Sequence, residues 1–338
     1  MGIKDLNILL RRKCGVEYMS HTPICNFSGQ KIAVDANLYA CVFKRGSNNY
    51  TASIIEFLTL LRENMIHPFF VFDGEAPDEK HEERAARSEK RAAQRARIQN
   101  IKQDFETYKH TGVLSDLLKA IDFKTNRRLL SHIKVPNSTI QEYIDRLESQ
   151  IVSITTEDFD TMKRILTLFG VPYVIAEGEG EFLCAALNRH GLVDAVFTAD
   201  TDVLPCLAPT IINKIIESQF FQVVSLHDIL TKLKLTEPQF IDLCILCGTD
   251  FNKNIPKIGP HGAYDLILRY ASIDNLPPVY NTSILNHVRV RELFGFTEIR
   301  PTIDVPWCSK INFEGLGDYV ADVTVIRRRI NRHIVRKN

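Results

Sequence analysis

The sequence predicts an α/β fold with a central, mostly parallel sheet flanked by helices. Three observations carry that prediction. Four short apolar runs each end in carboxylates and give way to a helical pattern, as buried parallel strands alternating with covering helices do. One long stretch without Gly or Pro has the charge spacing of a helix. The chain of 338 residues, 45% hydrophobic and 25% charged, has the apolar mass for a sizeable core and length for about one to three domains. That composition excludes a coiled coil, a collagen-like fibre and a wholly disordered chain. No apolar run approaches the ~20 residues that span a bilayer, so no membrane partner is expected.

The strands come first. Lys31-Ile32-Ala33-Val34-Asp35 is the earliest run, and Pro68-Phe69-Phe70-Val71-Phe72-Asp73-Gly74 follows an amphipathic segment near 54–61. Val171 to Ala176 leads into Glu177 to Glu181, and Ala195 to Asp200 is followed at once by Thr201-Asp202. In parallel sheets ligands collect outside the carboxyl ends of the strands, which is where all four runs deliver acids. Between the second and third runs, residues 79–102 are rich in Ala, Arg, Glu, Gln and Lys. Lys80, Arg84, Arg87, Arg91 and Arg95 recur every three or four positions there, on one helix face. Residues 110–150 read as less regular. After residue 225 the chain becomes helical, interrupted by Gly248 to Gly262 and by a loop at Pro277-Pro278.

Seven acids stand out: Asp35, Asp73, Glu179, Glu181, Asp200, Asp202 and Asp250. A single strand-end Asp is most simply a helix cap. The set is different, because so many negative charges at one sheet edge, with no Lys or Arg in the same loops, repel one another unless cations neutralise them. Oxygen donors without a His or Cys cluster favour Mg²⁺ or Mn²⁺ over zinc. Two such ions about 4 Å apart give metal-assisted phosphodiester hydrolysis as the reaction class. Asp200-Thr201-Asp202 also has the Asp-x-Asp spacing of aspartate-nucleophile phosphatases, but that chemistry uses none of the other acids. Cys244 and Cys247 have CxxC spacing inside an apolar helical run and read as buried thiols. The eight cysteines are scattered, Met1 to Leu6 has no secretory or myristoylation signal, and reduced thiols in an intracellular protein are expected. With 42 basic and 41 acidic residues, any basic surface must be local.

The segments MGIKDL, IAVDAN, VFDGEAP, AEGEGEFLCAAL, TADTDVL and LCILCGTDFNKNIPKIGPHGA occur in the order of the motifs of the flap endonucleases. The chain thus resembles that family of structure-specific 5′ nucleases, colinearly from residue 2 to about 270 and more weakly to about 325. The resemblance implies a PIN-like nuclease core with a helical arch and cap insertion and a helix–two-turn–helix motif. It divides the chain into an N-terminal nuclease region with the start of the arch (1–104), an arch and cap extension (105–156), an internal nuclease region with the helix–two-turn–helix (157–275) and a C-terminal helical extension (276–338). The family's seven metal-binding carboxylates fall on the seven acids above. It implies that Asp35, Asp73, Glu179 and Glu181 mainly hold one Mg²⁺ (or Mn²⁺) ion, with Asp200, Asp202 and Asp250 nearer the second. Lys80 and Arg87 match the family's catalytic basic positions, and Lys90 and Arg91 further basic ones. Gly2 and the Gly248–Ala263 motif, with Ile258, Gly259 and His261, match DNA-contacting positions, the motif gripping duplex DNA with K⁺ held by turn carbonyls.

Departures from the family pattern shape further expectations. Cys41 stands six positions after Asp35, where the family has a base-stacking tyrosine, and Tyr39 faces elsewhere on the helix. The loop from Lys44 to Tyr50 is short and lacks the acidic stretch that lines a pocket for a 3′ flap. His261 and Gly262 stand where family members are usually basic, which weakens the side-chain grip on duplex. The stretch between Arg91 and Glu179 is longer than usual. The basic end Arg327 to Arg332 has no Gln-x-x-Leu-x-x-Phe-Phe box, which argues against sliding-clamp recruitment. The resemblance implies a monomer, nuclear or at a site of DNA replication, that cuts branched DNA carrying a 5′ flap or junction. A 5′ exonuclease or Holliday-junction resolvase would keep the same active site; a DNA-structure binder with little turnover would gain nothing from the acids.

Overall fold

A computed structural model describes residues 2–46, 49–75, 77–120, 136–151, 153–295, 297 and 300–335, with backbone alone at 46, 78, 81–83 and 332–335. Part of the loop from Lys44 to Tyr50, residues 121–135 of the 105–156 segment, and the Arg332 side chain therefore lie outside the described residues. The chain divides into two compact units, one of residues 1–80 with 155–338 and one of residues 81–154.

In the first unit seven strands form one sheet: β1 (Met19–Pro23), β2 (Lys31–Asp35), β3 (His67–Phe72), β4 (Tyr173–Ile175), β5 (Ala195–Phe197), β6 (Thr210–Ile216) and β7 (Phe220–Ser225). Their order is β1-β7-β6-β5-β2-β3-β4. β4, β3, β2, β5 and β6 are mutually parallel, and β7 and β1 extend the sheet antiparallel. The chain runs outward from β2 through β3 to β4, then returns to the other side of β2 with β5 and β6. The switch point of the sheet, where crevices for ligands form, thus lies between the carboxyl ends of β2 and β5. Ile32, Ala33 and Val34 of β2 and all three residues of β5 are buried, which is why these strands read as unbroken apolar runs.

Helices cover both faces. α1 (Leu6–Cys14), α2 (Ala36–Gly46) and α3 (Tyr50–Glu63) come first, α3 starting where the Asn49 side chain accepts from Ala52 N–H at 2.9 Å. In the second unit α4 (His81–Thr111), α5 (Asp116–Ala120) and α6 (Asn137–Gln150) share a small core of Ile101, Phe105, Tyr108, Leu118, Ile140 and Ile144. The sequence shows α6 poorly, since residues 137–150 hold mostly polar side chains and two buried isoleucines. Back in the first unit, α7 (Thr156–Leu168) opens with a reciprocal Thr155–Asp158 capping box, and α8 (Gly180–Arg189) follows β4. α9 (Leu226–Leu233), α10 (Glu237–Cys247), α11 (Pro260–Tyr270), α12 (His287–Gly295) and α13 (Val323–Val335) complete the chain. The stretch between α12 and α13 has no regular secondary structure at 301–312 and bonds to Gly170 and Leu168, while Arg329 of α13 grips Glu56 and Glu63 of α3. None of the described helices is long and apolar enough to cross a membrane.

Candidate active site

Because β2, β3, β4 and β5 are parallel, their carboxyl ends share one edge, and the acids follow them there. Asp35 ends β2, Asp73 follows β3, Glu179 and Glu181 bracket the start of α8, and Asp200 and Asp202 lie in the turn after β5. The cap reading and the ligand reading of these acids prove compatible. Asp35 Oδ1 accepts from Leu38 N–H at 3.0 Å and so caps α2, while its Oδ2 accepts from the Thr198 hydroxyl at 3.2 Å. Asp73 Oδ1 accepts from Gly180 N–H at 2.8 Å at the start of α8, and Asp200 Oδ1 from Asp202 N–H at 3.2 Å. Backbone donors thus fix each carboxylate by one oxygen and aim the group.

The cluster is dry. Asp35, Glu179, Glu181 and Asp202 are only 6%, 8%, 7% and 1% exposed, whereas Asp73, Asp200 and Asp250 are half-buried. Burial, reinforced by the charges of Asp73 and Asp200, pushes the Asp35 carboxyl up to about 7. Burial and the neighbouring Asp202 carboxylate raise Glu181 well above the ordinary range. Lys80, 8% exposed, is the cation set among them: its Nζ lies 2.7 Å from Glu179 Oε2, 3.7 Å from Glu181 Oε1 and 5.4 Å from the Phe251 ring centroid. Burial alone would lower the Lys80 pKa, but Glu181 and Glu179 outweigh it and hold the ammonium charged. Glu79, next to it, is held at 2.7 Å by Arg289, which anchors the backbone that presents Lys80.

One ammonium does not balance this charge. Glu181, Asp200 and Asp202 each offer an oxygen within 4.8 Å of the others, and Glu181 Oε1 is buried with no hydrogen-bond partner among the described residues. An orphaned carboxylate oxygen facing two further carboxylates fits a hard divalent cation. Glu179, beside this group, is paired with Lys80 at 2.7 Å.

The other expected positions are placed as follows. Gly2 has φ +94° and packs so closely on Asp200 and Thr201 that a Cβ would collide with both. Asp250 lies in the turn after α10, beside Phe251. Ile258 and Gly259 form the turn into α11, tied by Asn254 Nδ2 donating to Ile258 O at 3.2 Å, and His261 stands in the first turn of α11. In the second unit, Arg87 is half-buried on α4 while Lys90 and Arg91 are exposed. Tyr39 is buried with its ring stacked on Phe57 at 5.3 Å, so it is core, and Cys41 is half-buried.

Two supporting residues escaped the reading of the sequence. Thr198 links the two sides of the switch point, donating to Asp35 and accepting from Asp200 N–H at 3.1 Å. Asn37 Oδ1 accepts from Asp73 N–H at 3.2 Å. The signal for both is a small polar residue two positions from a strand-end acid, meaningful only once strand neighbours are known.

Residues 1–94 match the XPG N-terminal domain and residues 170–250 the XPG I-region. The chain is 32% identical over 330 residues to "Probable RAD2-like endonuclease 076L" of Invertebrate iridescent virus 3, covering 87% of this chain and 85% of that one. It is 30% identical to "Flap endonuclease 1" of Yarrowia lipolytica over 90% of this chain and 77% of the other. The solved catalytic core of Rad2 in complex with DNA substrate superposes with a TM-score of 0.65 at 17% identity, covering 98% and 99% of the two chains, and so shares the fold. With the PIN-like α/β core, the acid-lined switch point and these relatives together, the chain belongs to the flap endonuclease and XPG family of nucleases.

Proposed function

We propose that this nuclease is a 5′ flap endonuclease that hydrolyses DNA phosphodiesters near single-strand/double-strand junctions with two divalent ions, Mg²⁺ first among them. The observation that carries the reading is the dry acid cluster at the switch point, in which the Glu181 Oε1 atom has no hydrogen-bond partner among the described residues and Lys80 is set between Glu179 and Glu181. Glu181, Asp200 and Asp202 would hold one ion, and Asp35, Asp73, Glu179 and Asp250 would complete the set. When bound, the ions supply the Lewis acidity that activates water and offsets charge on the leaving oxygen. Lys80, beside Glu179 and Glu181, would donate to the scissile phosphate and oppose charge that develops in the transition state. Arg87, Lys90 and Arg91 of α4 take the phosphates of the 5′ strand, and the turn at Ile258 and Gly259 presents the N-terminal N–H groups of α11 to the duplex arm.

The departures point to relaxed selectivity. Tyr39 is committed to the core and Cys41 offers no ring, so a base-stacking platform worth ~1–3 kcal/mol is missing there. Mg²⁺-dependent single-turnover cleavage of a 5′-labelled double-flap DNA, with products sized to one nucleotide, tests the reading. Flap cleavage within about tenfold of a simple 5′ overhang, less than ~1.4 kcal/mol of discrimination, is expected. Efficient cutting of blunt duplex or a four-way junction with little flap cleavage would assign the chain to the exonuclease or junction branch instead.

A further inference from the structure

We propose that the basic end of α1, through Arg12 and Lys13, forms a second duplex-binding surface beside the α10–α11 turn and adds to the grip of that turn's own Lys253 and Lys257. The proposal rests on the reading of this chain as a DNA nuclease and assigns to α1 a role in holding the duplex arm. Arg12 Nη1 lies 3.2 Å from His261 Nε2, at the first turn of α11. A guanidinium only donates, so the imidazole accepts through Nε2 and brings no negative charge to the pair. One turn further along α11, Lys13 Nζ sits 4.7 Å from the Tyr264 ring centroid, and Tyr264 is itself fixed by donating to Leu233 O at 2.9 Å. Two cations of α1 are thus held against two side chains of α11 that lie one turn apart.

Neither cation has a carboxylate within ion-pairing distance among the described residues. Asp265, one turn beyond His261, is exposed and pairs with neither; Asp5 stands at the opposite end of α1. Basic residues at a helix C-terminus do favour the helix dipole, worth typically ~0.3–1 kcal/mol each. That accounts for their presence at the end of α1. It does not account for the docking of Arg12 on an imidazole and Lys13 on an aromatic ring of another helix. Such neutral partners position the charges and leave them unbalanced, which suits a polyanion. The ground between them is open: Gly259, the N-cap of α11, has no side-chain cap bond and nothing within 4 Å of where a Cβ would point. Backbone N–H groups of α11 and the α1 cations therefore face the same approach. At the start of α11, where His261 and Gly262 bring no fixed charge, the cations come from the other end of the sequence.

The test is equilibrium binding of metal-free protein to labelled blunt duplex, double-flap DNA and single-stranded DNA across a salt series. For the double variant Arg12→Ala, Lys13→Ala, duplex and flap affinity should fall about tenfold near ~0.1 M salt, and the slope of log K against log [salt] should shrink by about 2. Single-strand affinity should change less than about twofold. The charge-retaining pair Arg12→Lys, Lys13→Arg should restore the slope, separating lost contacts from a lost fold. An unchanged slope in the alanine variant, or failure of the charge-retaining pair to restore it, overturns the proposal while leaving the nuclease reading intact. If the wild-type chain binds neither duplex nor flap DNA, the DNA reading falls as well.

Discussion

The acids of the first unit and the cations of the second are opposite in charge and are built by opposite means. At the sheet edge, carboxylates are buried and each of Asp35, Asp73 and Asp200 is clamped by a backbone N–H. Along α4, residues 88–97 are exposed on every side, and packing begins only at Ile98 and Ile101. The first arrangement stores unfavourable electrostatics in a rigid frame; the second keeps its charges solvated on a helix secured at one end by the small core around Phe105. On the proposed function, fixed ligands and an adaptable strand contact would thereby fall to different packing environments.

That contrast can be broken in four ways, taken from the largest expected effect. Asp200→Ala should lower single-turnover cleavage in Mg²⁺ by at least about a thousandfold with DNA affinity largely intact, because the ligand serves the transition state more than the ground state; near-normal cleavage would remove the acid from the machinery. In the second unit, Phe105→Ala should cost about 3–5 kcal/mol of local stability. Circular dichroism should then show early loss of α4–α6 helicity while the first unit melts as before, and a single shared transition would deny the units their independence. Lys80→Ala should reduce the single-turnover rate about 100-fold. The same change removes a cation from among acids, so calorimetry should find Mg²⁺ bound more tightly; weaker binding would mean that Lys80 organises the ligands. The smallest effect is protonic. With the Asp35 carboxyl at about 7, a divalent ion must displace its proton, so apparent affinity should climb about tenfold between pH ~6 and ~8 and then level off. The sign for stability is opposite. A carboxyl whose folded pKa is raised stabilises the metal-free fold most at low pH, and that contribution is lost as pH rises from ~4 through ~7. Titrations in two buffers of different ionisation enthalpy read the released proton directly.

The place of Asp35, Asp73, Glu179, Glu181, Asp200 and Asp202 at one sheet edge was legible because each follows a short apolar strand, and such strands announce both their class and the end at which acids collect. Register was not legible. Thr198 joins Asp35 to Asp200 across the β2–β5 pair, a relation no local window contains. The β6–β7 hairpin was hidden for another reason: its turn places Glu217 and Ser218 at φ 50° and 54°, a left-handed pair that sequences usually mark with Asn-Gly. Lys80 was visible as one of a row of basic residues, yet its site among Glu179 and Glu181 depends on Arg289 holding Glu79 from more than two hundred positions away. Arg12 was equally silent, since nothing near residue 12 in sequence mentions residue 261.

The lone oxygen of Glu181 has an evolutionary consequence. A carboxylate kept dry, crowded by like charge and with one oxygen that makes no hydrogen bond is a standing cost to the fold, so its replacement by glutamine is a change that folding alone would favour. In a lineage released from the need to cut nucleic acid, this position should drift early, and the inert descendants should melt later than their active ancestors.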